Sequence, residues 1–285
     1  MYEAYYNFRA KPFQLSPDPR FFFSSKGHRR AMAYLEYGVH QSEGFIVITG
    51  EIGAGKTMLA RTLARKLASQ NLVMAQVVST QLEADDIVRM VAAEFGLAHE
   101  DSKAVLLNKL EAFLLASHKQ GKRALLLVDE VQNLPPRSLE ELRMLSNFHF
   151  EDKPLLQSFL LGQPEFRRTL QSPALQQLRQ RIIASCHLGP INAEETEAYI
   201  VHRLQTVGWK GNPSFSEDSF SAIHRDTGGI PRKINLLCDR LLLMGRLDKK
   251  NAFTAADVTE VNAELQEELA PPGLDAEELE QTHAI

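Results

Sequence analysis

Gly50-Glu51-Ile52-Gly53-Ala54-Gly55-Lys56-Thr57 fits the pattern G-x-x-x-x-G-K-[ST], and its neighbours on both sides give it the right setting. Before it runs Phe45-Ile46-Val47-Ile48-Thr49, a short β-branched apolar run that reads as a buried strand. After it, Met58 to Leu67 carries apolar residues at helical spacing. Strand, glycine loop and helix together make a cradle for a polyphosphate. The glycines let the backbone curl until successive N–H groups face the anion, and the helix points its positive end at the same spot. Lys56 can then reach the β- and γ-phosphates, and the Thr57 hydroxyl can ligate magnesium. The expected nucleotide-binding set is therefore Gly50, Glu51, Ile52, Gly53, Ala54, Gly55, Lys56, Thr57 and Met58.

A second buried-strand pattern, Ala124-Leu125-Leu126-Leu127-Val128, ends in Asp129-Glu130. In a parallel α/β sheet, ligands sit beyond the carboxyl ends of the strands. Both acids should thus face the crevice of the glycine loop. Asp129 suits a magnesium contact, direct or through water, and Glu130 can polarise a water for in-line attack on the γ-phosphate. An enzyme passing phosphate to a bound small molecule has less need of such a carboxylate. Hydrolysis of ATP is favoured over phosphotransfer.

Outward from these motifs, strands are expected at Leu72–Val78, Leu155–Leu161 and Ile182–Leu188, with helices over about 27–40, 83–95, 103–119 and 137–147. Alternating strands and helices argue for a parallel sheet covered on both faces. From Asn192 the pattern becomes all-helical, over about 193–207, 216–226, 231–246 and 254–268, which marks a second, smaller domain. Residues 1–26, rich in Pro, Phe and Tyr, read as an ordered arm.

Composition excludes several classes. At 285 residues the chain can bury a large core, and its net charge of −4 gives no overall basic footprint for nucleic acid. No apolar run approaches about 18 residues, so no span of a membrane is expected. The N-terminus has no apolar signal segment. Cys186 and Cys238 both sit in apolar segments and read as buried free thiols, and the histidines show no metal-ligand spacing. These features point to a cytoplasmic protein. Charge is uneven: Arg9, Lys11, Arg20, Lys26, Arg29 and Arg30 crowd the first thirty residues, whereas no Lys or Arg follows Lys250.

GEIGAGKT and LLLVDEVQNL resemble the AAA+ ATPases of the ORC/Cdc6-like branch. LLGQPEF, LRQRI and GGIPRKIN narrow the resemblance to the ExeA/GspA-type secretion ATPases. The opening MYEAYYNFRAKPFQLSPDPRFFF, with GHRRAMAYLEYGV, is similar to the subgroup found with exosortase (PEP-CTERM) and exopolysaccharide loci. The resemblance implies an α/β P-loop NTPase (AAA+) core, a three-layer parallel sheet, followed by a small all-helical lid. The expected division is 1–40 for an arm and helix packing on the nucleotide site, 41–190 for the ATPase core, 191–268 for the lid, and 269–285 for a disordered acidic tail. The segment Phe13–Pro17 would lie against the adenine.

The resemblance also assigns roles. Gln163 takes the place of the sensor-1 polar residue that contacts the γ-phosphate or attacking water. In Leu178-Arg179-Gln180-Arg181, Arg181 is the expected arginine finger, with Arg179 the alternative. Such a finger inserts into a neighbour's site and is worth about 10³–10⁵ in rate, or about 4–7 kcal/mol of barrier. Arg232 resembles sensor 2 at the start of a lid helix, where it would bridge the lid to the nucleotide. With Lys56 and Glu130, these complete the expected catalytic set, and Thr57 and Asp129 are the expected magnesium ligands. ATP and magnesium are the implied cofactors, and a homo-oligomer with its finger in trans is the implied assembly. Longer ExeA/GspA proteins continue into a membrane span and a periplasmic region, and initiators into a winged helix. This chain stops soon after the lid, so membrane attachment would run through envelope or polysaccharide-export partners, at the inner membrane. Two other roles stay open: a DNA-associated ATPase of the transposition-helper or initiator kind, supported by the basic arm, and a nucleotide-dependent scaffold.

Overall fold

The computed structural model describes residues 2–41, 44–67, 71–78 and 83–269; the acidic tail beyond 269 lies outside them. The chain forms two compact units, Pro17–Pro190 and a helical unit made of Met1–Ser16 with Ile191–Ile285. The arm is thereby divided, its first sixteen residues packing with the helical unit.

Five strands build the sheet of the first unit: β1 (Phe45–Gly50), β2 (Leu72–Val78), β3 (Arg123–Asp129), β4 (Leu156–Gly162) and β5 (Ile182–Leu188). Their order across the sheet is β2-β3-β4-β1-β5, and every neighbouring pair is parallel. All six residues of β1 and all seven of β4 are buried. Alternate residues therefore serve two cores. Phe45, Val47, Leu126, Val128 and Leu160 face one side, covered by α3 (Ala84–Glu94), α4 (Lys103–Lys119) and α5 (Pro136–Leu145). Ile46, Ile48, Leu125, Leu127, Phe159 and Leu161 face the other, covered by α1 (Lys26–Gln41) and α2 (Lys56–Leu67). Each such side chain contributes about 1.5–3 kcal/mol by leaving water. α1 crosses β1 closely because position 38 is glycine: a Cβ there would lie 1.7 Å from the Ile46 Cδ1.

The expected strands and the alternation that defines the parallel α/β class are present, with ends shifted by a residue or two. The sequence reading lacked two short ladders, His149–Phe150 with Lys153–Pro154 and Ser214–Phe215 with Ala252–Phe253, because two-residue pairings carry no periodicity.

The helical unit holds α6 (Ala193–Thr206), α7 (Glu217–Thr227), α8 (Pro231–Leu247) and α9 (Ala255–Leu269). Asn192 caps α6 by accepting from the Glu195 N–H at 2.8 Å. α7 ends at Gly228 and Gly229, both at positive φ, and a Cβ on Gly229 would meet the Ile191 carbonyl oxygen at 2.0 Å. The arm is fastened by Arg203, only 4% exposed. Its Nε donates to the Pro12 carbonyl at 2.6 Å, Nη2 to the Gln14 carbonyl at 3.1 Å, and Nη1 to the Tyr199 hydroxyl at 2.8 Å. Tyr199 in turn donates to Asn235 Oδ1 at 2.8 Å, and burial pushes its phenol upward despite the nearby Arg203 charge. Phe13, 1% exposed, lies under the same guanidinium. Cys238 is buried in this unit and Cys186 in the other, both as free thiols.

Arg203→Met should destabilise the helical unit by about 1–3 kcal/mol for each carbonyl left without its donor. Arg203→Lys should recover little, since an ammonium cannot reproduce the planar fork. Urea denaturation checks both; midpoints equal to wild type would show that the arm is not held this way.

Candidate functional site

The glycine loop leaves β1 at Gly50 and enters α2 at Lys56. Gly53 and Gly55 adopt φ of +83° and +96°, a region that L side chains rarely enter, which is why the loop needs glycine there. Gly50 is required for a different reason: a Cβ would sit 2.4 Å from the Leu188 carbonyl oxygen of β5. Ala54 is buried, whereas Glu51 and Ile52 form the exposed outer turn. Met58 and Thr57 are half-buried in the first turn of α2, where the helix offers backbone N–H groups without partners in the preceding turn.

Lys56 is 6% exposed and folds back over its own loop, donating to the Gly50 and Glu51 carbonyls at 2.7 and 3.1 Å. Burial pushes its ammonium below the usual lysine range, while Glu130, Asp129 and Glu51 pull the other way. A buried cation resting on two carbonyls in an otherwise anion-shaped loop suits a phosphate partner. Thr57 Oγ1 donates to Asp129 Oδ2 at 2.6 Å, so helix α2 and the end of β3 meet through two hard oxygens. That donor set fits magnesium, which takes one or two protein oxygens and keeps waters and phosphate oxygens for the rest. Among the described residues no cluster of three or more His, Cys, Asp or Glu offers another metal site.

Asp129 is 3% exposed and also accepts from the Glu130 N–H at 2.9 Å. Glu130 stands in the left-handed region, φ 52° and ψ 38°, where the strand breaks into the single 3₁₀ turn Val131–Asn133. Gln163 Nε2 donates to Glu130 Oε2 at 3.2 Å. The side chain expected to sense phosphate is thus directed at the carboxylate expected to polarise water. Gln163 does not cap the short helix that follows, whose N-cap is Pro164.

The remaining candidates belong to other elements. Arg181 immediately precedes β5, and its carbonyl accepts from the Phe45 N–H at 2.8 Å, at the start of β1. The glycine loop leaves the far end of the same strand, about 20 Å away for six residues at about 3.3 Å each. Arg181 Nη1 donates to Ser146 Oγ at 2.7 Å and Arg179 Nη1 to the Leu170 carbonyl at 2.6 Å. Arg232 belongs to the helical unit, exposed in the first turn of α8.

Two residues near the loop were not anticipated from sequence. His28, 5% exposed, sets its Nε2 2.8 Å from where a Cβ on Gly55 would be, and its Nδ1 pairs with Ser25 Oγ at 2.7 Å. Gln132 donates through Nε2 to Glu130 Oε2 at 2.6 Å and accepts from the Gln163 N–H at 2.9 Å. Nothing in helical spacing marks His28. Gln132 was detectable only as a polar side chain two residues beyond the acidic pair.

Strand order, glycine loop and acidic strand end define an AAA+ P-loop fold. Residues 39–170 match the AAA domain family. Over 245 residues the chain is 39% identical to General secretion pathway protein A of Aeromonas hydrophila, covering 85% of this chain and 44% of that protein. Residues 39–170 thus carry an AAA domain, and the chain is similar to that secretion protein, of whose length it spans less than half. Solved structures agree on the fold. The Pyrobaculum aerophilum Cdc6p matches with a TM-score of 0.71 at 15% identity, over 94% of this chain and 73% of that one. The Aeropyrum pernix ORC2 protein, in ADPNP and ADP complexes, matches at 0.68 and 15%, over 89% and 71%. The Thermotoga maritima RuvB branch-migration motor matches at 0.59 and 17%, over 90% and 76%. Among the described residues no helix is long and apolar enough to cross a membrane.

Gly55→Ala should lower the affinity for a fluorescent ATP analogue by at least about tenfold, since its φ is costly for any L side chain. Adding His28→Ala should relieve the clash and still leave binding weak. Wild-type affinity in Gly55→Ala would show that the loop tolerates a relaxed backbone.

Proposed function

We propose that the chain binds ATP with magnesium in the Gly50–Thr57 loop and hydrolyses it, with Glu130 as the base. The observation that carries this reading is the contact of Thr57 with Asp129 beside a Glu130 carboxylate held by Gln163. Backbone N–H groups and Lys56 would bind the phosphates. Thr57 and Asp129 would hold magnesium, which when bound neutralises charge on the β- and γ-phosphates. Glu130 would take a proton from water as its oxygen attacks the γ-phosphorus and the bond to the ADP oxygen breaks. Gln163 carries a second amide hydrogen that can go to a phosphate oxygen. Arg181, too far along β1 and β5 to reach its own loop, would act as a finger in a neighbouring copy of the chain, with Arg179 the alternative. Arg232 would link the helical unit to the nucleotide and convert hydrolysis into lid motion.

The relative's name supports a role in a secretion pathway; assembling or regulating a bacterial envelope secretion system, at the cytoplasmic side of the inner membrane through partner proteins, extends that reading on the resemblance alone. A link to exosortase and exopolysaccharide export rests on the opening segment's resemblance alone. A DNA-associated role has less support: of the basic arm residues, Arg20 pairs with Asp18 at 2.7 Å and Arg29 donates to the Ser24 carbonyl. Salt-sensitive stimulation of hydrolysis by duplex DNA would favour it.

Glu130→Gln should bind ATP with near wild-type affinity and release phosphate at least about 10²-fold more slowly. Bound nucleotide and free phosphate, both read by chromatography, check this. Full hydrolysis in that variant would remove Glu130 from the mechanism.

A further inference from the structure

We infer that Gln132 is a positioning residue for hydrolysis: its side-chain amide fixes the Glu130 carboxylate and ties that carboxylate to the backbone of Gln163. The inference rests on the ATPase reading above and adds a residue to it.

Both ends of the Gln132 amide are engaged. Nε2 donates to Glu130 Oε2 at 2.6 Å, and Oε1 accepts from the Gln163 N–H at 2.9 Å. Only one orientation of the amide satisfies both partners, because a flip would set oxygen against carboxylate and NH₂ against N–H. Gln163 Nε2 closes a ring by donating to the same Glu130 Oε2 at 3.2 Å. Two donors on one carboxylate oxygen leave Oε1 as the atom that can accept a proton.

The backbone is shaped to allow this ring. Glu130 adopts a left-handed conformation, which is unfavourable for a residue with a Cβ. The turn that follows sends Val131 into the core at 0% exposure and brings Gln132 toward the end of β4. Gly162, at that end, keeps the space open: a Cβ would meet Val131 Cγ1 at 2.8 Å and Gln132 Oε1 at 3.3 Å. The second hydrogen of Gln132 Nε2 faces Asn133 Oδ1 at 3.5 Å, so the amide is directed at its own chain. Gln163 differs in having a hydrogen to spare for an incoming oxygen. The arrangement gives the carboxylate one anchor that stays and one that can also sense the phosphate.

The decisive variant is Gln132→Glu. It keeps size and the oxygen that accepts from the Gln163 N–H, but replaces the donor by a second negative oxygen facing Glu130. A residue that merely holds the backbone of Gln163 would tolerate it; a residue that positions Glu130 would not. We expect Gln132→Glu and Gln132→Ala to lower kcat by about ten- to a hundredfold. The Kd for ATP should change less than about twofold, and melting should stay cooperative. Placed on Glu130→Gln, either change should have no further effect on the residual rate, because the group it positions is already gone. Wild-type kcat in Gln132→Glu would overturn the inference, as would an equal further loss in the Glu130→Gln background. A wild-type protein that binds ATP without hydrolysing it would instead overturn the ATPase reading, and this inference with it. Where Gln132→Ala does not fold, Gln132→Glu, which keeps the contact to Gln163, decides.

Discussion

The order of three strands, β3-β4-β1, is the constraint on which the site depends. Because β4 lies between β1 and β3, whatever follows β4 must emerge between the glycine loop and the acidic strand end. Gln163 is that residue, and its amide contacts Glu130 at 3.2 Å. In the same way, the Thr57–Asp129 hydrogen bond spans two elements far apart in sequence, which meet because both leave the carboxyl edge of one parallel sheet. Buried residues along β1 and β4 hold those ends in register. The sheet's hydrophobic cores thus set the spacing of polar atoms at its edge.

Three left-handed residues stand where the chemistry is expected. Gly53, Gly55 and Glu130 all have positive φ, and two of the three are glycines that bear it cheaply. Glu130 has no such excuse. Its conformation persists because Val131 is locked in the core and Gln132 and Gln163 hold the side chain. The buried Lys56 ammonium adds an electrostatic counterpart, resting on two carbonyls inside a loop built for an anion.

Much of this was legible in the chain. Phe45–Thr49 and Leu125–Val128 are continuous apolar runs, so their burial on both faces of a sheet could be read directly, as could the loop and acids that end them. Arg203, buried and holding the arm through the Pro12 and Gln14 carbonyls, could not be read that way, since its partners lie some 190 residues away in sequence. The same holds for His28 against Gly55 and for Gln132. Each depends on strand order or on a single left-handed residue, and neither leaves a periodic trace. Periodicity reports which face of an element is buried; it does not report which distant polar atoms meet there.

Phosphate release from ATP by the wild-type chain, measured in magnesium over a wide range of protein concentrations, tests the central claim most directly. The account predicts magnesium-dependent hydrolysis whose rate per chain rises with concentration, as neighbouring copies bring Arg181 to each other's loops. ATP that binds with magnesium yet is hydrolysed at no concentration would contradict it, and a constant rate per chain would contradict the shared site.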